Sequence, residues 1–129
     1  MKQKSKPVGK STRQAEALLP LKPLVFQILL VLHDGERHGY SIVKQLAQEA
    51  AGRQVAPGNL YRTLRGMLAQ NLIEESDHRP DPALDDQRRR YFRLTATGRR
   101  VARAEADRLE GLLSSARRRR LFSGSGGPR

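Results

Sequence analysis

The residues best equipped for chemistry in this 129-residue chain are arginines, and the most telling pair lies in PGNLYRTLRGML, Pro57 to Leu68. The spacing predicts a helix here. At about 100° per residue, Leu60, Leu64, Met67 and Leu68 share one sector, and Arg62 projects nearly opposite. Asn59 and Arg65 lie well off the apolar stripe, Tyr61 on its shoulder, and Pro57 in the first turn. A guanidinium can pair with two acceptors on a guanine edge, and an amide with adenine. A phenol hydroxyl and the free N–H groups of a helix start suit phosphate oxygens. A second group, His38, Tyr40 and Ser41, opens HGYSIVKQL and offers backbone contacts, although helix capping and packing account for it equally well. A third comprises Arg79 and the pair Arg88 and Arg89. Arginines on a hairpin can face a sugar-phosphate backbone or reach into a minor groove. Asp81, Asp85 and Asp86 in the same loop are available to pair with some of them.

Other chemistries find no support. His33, His38 and His78 are spaced unlike any common local metal site, and without cysteine there is neither a thiolate site nor a disulfide. Neither a G-x-S-x-G nucleophile motif nor a phosphate-cradling glycine loop between a strand and a helix occurs. The reading is therefore no enzyme, no cofactor and no metal. Lys+Arg number 25 against Asp+Glu 13, a formal net charge of +12. That excess implies attraction to a polyanion such as nucleic acid, less often to an anionic membrane surface. The longest apolar run, Leu24 to Leu32, is too short to span a bilayer, and no secretory signal is visible, so a cytoplasmic, membrane-free protein is expected.

The elements that must hold these residues follow from periodicity. Residues 1–17 read as a disordered basic arm. A first helix carries Leu24, Ile28, Leu29, Val31 and Leu32 and ends at Asp34-Gly35. A second carries Val43, Leu46, Ala47 and Ala50 as its stripe, with Ile42 broadening it. The stretch from Pro57 is the third. LIEES and RRYFRL then alternate as short strands around a proline- and aspartate-rich tip, with Phe92 and Leu94 facing the core. Thr95 is placed to N-cap a long last helix. Along it Ala102, Ala106, Leu109, Leu113 and Ala116 step by four and three, flanked by Val101 and Leu112, as a heptad-like seam. Three helices, a hairpin and a long helix make a mainly α winged helix-turn-helix over residues 18–94, a C-terminal dimerisation helix over 95–122 and a flexible tail over 123–129.

HGYSIVKQL, PGNLYRTLRGMLAQNLIEE and RRRYFRLTATGRR together resemble the PadR family of bacterial transcriptional regulators, over roughly Leu24 to Leu113. The resemblance implies a winged-helix homodimer on a palindromic double-stranded operator, usually as a repressor. It leaves room for a small-molecule effector without naming one. The family's reading helix falls on Pro57, Gly58, Asn59, Leu60, Tyr61, Arg62 and Leu64. Asn59 stands where the family usually has a small hydroxyl residue, and Gly66 where it has a basic or polar one. Without tryptophan, a tryptophan-lined drug pocket is not expected. Two other readings stay open at this point: a sequence-independent nucleic-acid binder, nucleoid or RNA-directed, and a winged helix used as a protein-interaction module.

Overall fold

The computed structural model describes residues 13–49, 57–76 and 90–122. Helix α1 (Pro23–His33) starts on a proline that fixes the first turn and needs no N–H partner. Its Ile28, Leu29, Val31 and Leu32 are all buried, on a wide arc, because α1 is the central helix. It is packed by α2 (Gly39–Glu49), α3 (Pro57–Ala69), strand β3 (Tyr91–Leu94) and α4 (Ala96–Arg118). The chain leaves α1 at Asp34-Gly35, where Gly35 takes φ 143 and donates its N–H to the Leu32 carbonyl at 3.1 Å.

Between α1 and α2 lies a strand that the sequence pattern did not reveal. β1 (Arg37–His38) pairs antiparallel with β3, Arg37 opposite Phe92 and His38 opposite Tyr91. β2 (Ile73–Glu75) pairs on the other side of β3, from Ile73 opposite Leu94 to Glu75 opposite Phe92. The sheet is thus three-stranded in the order β1-β3-β2, where a two-stranded hairpin was expected. Two residues are too few to show a period, which is why β1 stayed hidden. Phe92 and Leu94 do face the core, 3% and 5% exposed.

The stripes of α3 and α2 compare differently with expectation. Leu60, Leu64 and Met67 are buried on α3 as their spacing required. On α2 the buried line is Gly39, Ile42 and Leu46, while Val43 is half-buried and Ala47 exposed. The inward face is rotated toward Ile42 because the start of the helix is drawn against α3 through Gly39. Ala50, assigned to the same stripe, lies outside the described residues.

The arm expected over residues 1–17 gives way to structure at its inner end. Residues 13–17 are helical, and Ala15 is 4% exposed within the core. Ala15, Leu18 and Leu19 follow the i, i+3, i+4 rule and lie on the core. So short a helix is unstable alone and holds by tertiary packing. Residues 1–12 and the tail from 123 lie outside the described residues.

Thr95 caps α4 as its position required: its Oγ1 accepts from the Gly98 N–H at 2.9 Å and also lies 3.1 Å from the Leu72 carbonyl, to which the Thr95 N–H donates at 3.2 Å. Gly98 is buried against that carbonyl so closely that a Cβ would be driven into it. Along α4, Gly98, Val101, Ala102 and Glu105 are buried, and the same face continues through the half-buried Leu109 and Ala116 and the exposed Leu112 and Leu113. Among the described residues, no helix is long and apolar enough to cross a membrane.

Candidate nucleic-acid interface

Because Leu60, Leu64 and Met67 turn one side of α3 inward, the opposite side is left for Asn59, Arg62, Arg65 and Gly66, all exposed. Arg62 donates from a guanidinium nitrogen to Asn59 Oδ1 at 3.2 Å, one turn apart. This bond aligns an amide and a fork of N–H donors on one polar surface, the pairing of types that reads purine edges. Arg65 lies about 60° round from Arg62 and widens the cationic surface. No side chain lies within 4 Å of a Cβ built on Gly66, so the protein's own packing does not require a glycine there. Pro57 opens the helix, as expected. Beside this face runs an open groove of about 710 Å³, whose lining includes Lys22, Asn59, Arg62 and Gln70 but no acid.

Tyr61, beside this polar face, turns toward α2. Its ring lies across the start of α2: a Cβ on Gly39 would sit 2.8 Å from Tyr61 Cε1 and 3.1 Å from its hydroxyl oxygen. The side chain is half-buried against the core. The aromatic thus joins α3 to α2, and Gly39 is the residue that lets it approach.

At that same junction, His38 belongs to β1 and not to the helix. Its Nδ1 accepts from the Ser41 N–H at 3.0 Å, capping α2 from outside in the way an N-cap side chain does. Its ring meets Tyr91 edge-on at 5.3 Å and stacks with Tyr40 at 6.5 Å between centroids. Tyr40 is 48% exposed, and the Lys44 ammonium lies 5.4 Å from its ring centroid. The capping role left open for His38 is therefore realised. Tyr40, Ser41 and Lys44, with Gln45 and Gln48, line an open groove of about 450 Å³ beside it. Lys44 was missed in the sequence, although its place four residues after Tyr40 puts both on one helical face.

On the sheet, arginines serve a different purpose. Arg90 meets Glu75 at 2.9 Å. Arg93 meets Glu74 at 2.8 Å and Glu36 at 3.5 Å, and Ser76 donates to Glu36 at 2.8 Å. The hydrogen bond to Glu74, then its charge, hold the Arg93 guanidinium even more firmly protonated than usual. Arg79, Arg88 and Arg89, assigned to the hairpin tip and returning strand, lie outside the described residues, as do the three aspartates of that loop.

The seam assigned to α4 divides in two. Val101 and Ala102, 0% and 8% exposed, belong to the core of their own domain, packed beneath α1, so they have no surface to offer a partner. Ala106 is exposed and Leu109 and Ala116 are half-buried, while Leu112 and Leu113 are 56% and 44% exposed. Glu105 interrupts the apolar face and was not anticipated. Only 2% exposed, it accepts from Arg108 at 2.7 and 2.9 Å and from the Leu21 N–H at 3.3 Å. These hydrogen bonds, the Arg108 pair foremost, hold its carboxyl below the usual range against the opposing effect of burial. They also tie the segment before α1 to α4. Among the described residues, no group of three or more His, Asp or Glu side chains could hold a metal ion.

Set beside known proteins, the chain matches the family model described as transcriptional regulator PadR-like family over residues 28–104. Among solved structures, RosR of H. salinarum is 30% identical, with 81% of this chain and 89% of that chain covered and a TM-score of 0.57. A PadR family transcription regulator from Clostridium difficile is 20% identical, with 75% of this chain and 97% of that one covered, at a TM-score of 0.63. A transcriptional regulator from Clostridium thermocellum is 19% identical over 74% and 87% of the two chains, at 0.60. The last two speak for the winged-helix fold. No curated protein matches the chain.

Proposed function

Because the chain belongs to the PadR-like family of transcriptional regulators, we propose that it is a homodimeric repressor that binds a palindromic double-stranded operator through α3. One observation carries this reading. The face of α3 opposite its buried stripe presents Asn59 and Arg62 already joined, with Arg65 beside them. In a helix-turn-helix such a face enters the major groove. Tyr40, Ser41 and Lys44 at the start of α2 supply contacts to phosphate, which position the protein without specifying sequence. Tyr61 acts at one remove, fixing the angle between the two helices. The arginines Arg79, Arg88 and Arg89 extend the backbone contacts. The dimer is supported by α4, whose apolar face continues past the domain that covers its first half. A partner would bury Leu109, Leu112, Leu113 and Ala116.

Selection of bound duplexes from a random pool tests the reading. The expected product is a two-fold symmetric site. Arg62→Ala should weaken binding to that site by about 1–3 kcal/mol while leaving random DNA less affected. A pool that shows no enriched sequence would overturn it, and retardation of random DNA at moderate salt would then separate a sequence-independent binder from a protein-interaction module.

A further inference from the structure

Among the described residues, three arginines of this fold are answered by carboxylates, and the longest unbroken run of arginines is not. Arg90, Arg93 and Arg108 each meet a carboxylate, at 2.9, 2.8 and 2.7 Å. Arg117, Arg118, Arg119 and Arg120 are all exposed, and among the described residues none of them forms an ion pair. The sequence holds no acid after Glu110. One or two cations at a helix C-terminus are explained by the helix dipole. Four in succession repel one another, and the dipole does not require them.

The cluster is nevertheless an ordered cap. The Leu121 N–H donates to the Ala116 carbonyl at 3.1 Å and the Arg120 N–H to the Arg117 carbonyl at 2.9 Å. Arg120 takes φ 56, a left-handed position that glycine or asparagine fills with less strain. The Arg117 guanidinium lies 5.6 Å from the Phe122 ring centroid, and Arg119 donates to the Ser115 carbonyl at 3.3 Å and to its hydroxyl. Arg120 thus stands where the backbone disfavours it, and among the described residues no carboxylate pairs with it. The last buried residue of α4 is Glu105, and Arg117 comes twelve residues later, about 18 Å along the axis. The cap therefore lies beyond the last residue of α4 that the described part of the domain buries.

We propose that this arginine cap is a second nucleic-acid site. It grips the phosphodiester backbone of a duplex segment other than the one facing α3, and it does not read sequence. The guanidinium fork suits phosphate oxygens, and contacts to phosphate carry no base information. A protein bound through α3 would then hold a second duplex, or a distant stretch of the same one, against it. The site does not depend on α3 for its chemistry, so the two readings can fail separately.

The test uses the full chain with Arg62→Ala and Arg65→Ala, which removes the guanidiniums of α3. This protein should still retard a short random-sequence duplex. Replacing Arg117, Arg118, Arg119 and Arg120 by glutamine should lower the slope of log affinity against log salt by up to about 3.6 per protomer, at 0.9 per phosphate contact. In the chain with α3 intact, the same replacement should abolish capture of a labelled second duplex by protein held on a bead-bound first duplex. Replacement by four lysines should preserve both signals, since charge suffices, and circular dichroism should show equal helix content in the two variants. An unchanged salt slope in the glutamine variant overturns the proposal. So does a glutamine variant that loses binding to phosphatidylglycerol vesicles while keeping the duplex, which would assign the cap to a membrane surface.

Discussion

Gly98→Ala should destabilise the protein, although alanine is the better helix former. The new methyl group would be driven into the Leu72 carbonyl oxygen and would lie 3.0 Å from its carbon. Both belong to backbone, so no side chain can swing aside, and crowding of this kind costs about 1–3 kcal/mol. Relief requires α4 to move from Leu72, which stretches two bonds of Thr95: its N–H to the Leu72 carbonyl, at 3.2 Å, and its hydroxyl to the Asn71 carbonyl, at 2.6 Å. Their loss costs roughly 1 kcal/mol each. The helix propensity of alanine offsets about 1 kcal/mol. The net is about 2–4 kcal/mol. With an unfolding entropy of about 2.1 cal/mol/K per residue, this lowers Tm by about 7–15 °C. Gly66→Ala is the matched control: the site is helical and exposed, and nothing lies within 4 Å of the added methyl. There propensity acts alone and should raise Tm by roughly 3–4 °C. Thermal unfolding followed by circular dichroism at one protein concentration measures both. A Gly98→Ala protein as stable as the parent, or shifts of the same sign in the two variants, would refute the steric argument.

Two further outcomes follow from α4. Glu105 titrates below the usual carboxylate range because Arg108 bonds its ionised form, so its contribution is present near neutrality and fades as pH falls through its lowered folded-state value. Glu105→Gln should therefore be less stable than the parent at pH 7, with the gap closing in acid below about pH 4.3; a gap constant with pH would separate the carboxylate's role from its charge. Leu112→Asp with Leu113→Asp should leave the domain folded but shift sedimentation to a monomer of 14.5 kDa, and a dimer that persists at micromolar concentration would place the interface elsewhere.

Helices α1 to α4 and the two longer strands were legible because each repeats its pattern long enough to be counted, whereas the short helical turn at residues 13–17 does not. What escaped depends on contacts between distant parts of the chain. β1 exists because Arg37 and His38 find β3 more than fifty residues later, and nothing local announces it. Glu105 looks like a solvated charge until the Leu21 N–H, 84 residues away, and Arg108 are placed around it. Tyr61 shares a helix with the exposed Asn59, Arg62 and Arg65, yet its shoulder position meets Gly39, which periodicity alone could not foresee. The exposed polar face of α3 was legible, since a complete apolar stripe leaves only one side free. The α2 stripe was misplaced by about one residue because its alanines satisfy the helical period as well as Ile42 does.

Since the exposed leucines of α4 lie on the same side of the helix as the buried Glu105, the chain cannot vary freely in length between them. Each residue inserted between Glu105 and Leu109 turns everything beyond it by about 100°. One extra residue would swing Leu112 and Leu113 to the flank while Val101 stays anchored. Three or four would restore the direction only within about 40–60°, whereas seven would bring it back to within about 20° and reach about 10 Å further. Seven residues, or eleven, are thus the short insertions that nearly restore the direction, and either would carry the exposed leucines further from the core without turning them from the face they share with Glu105.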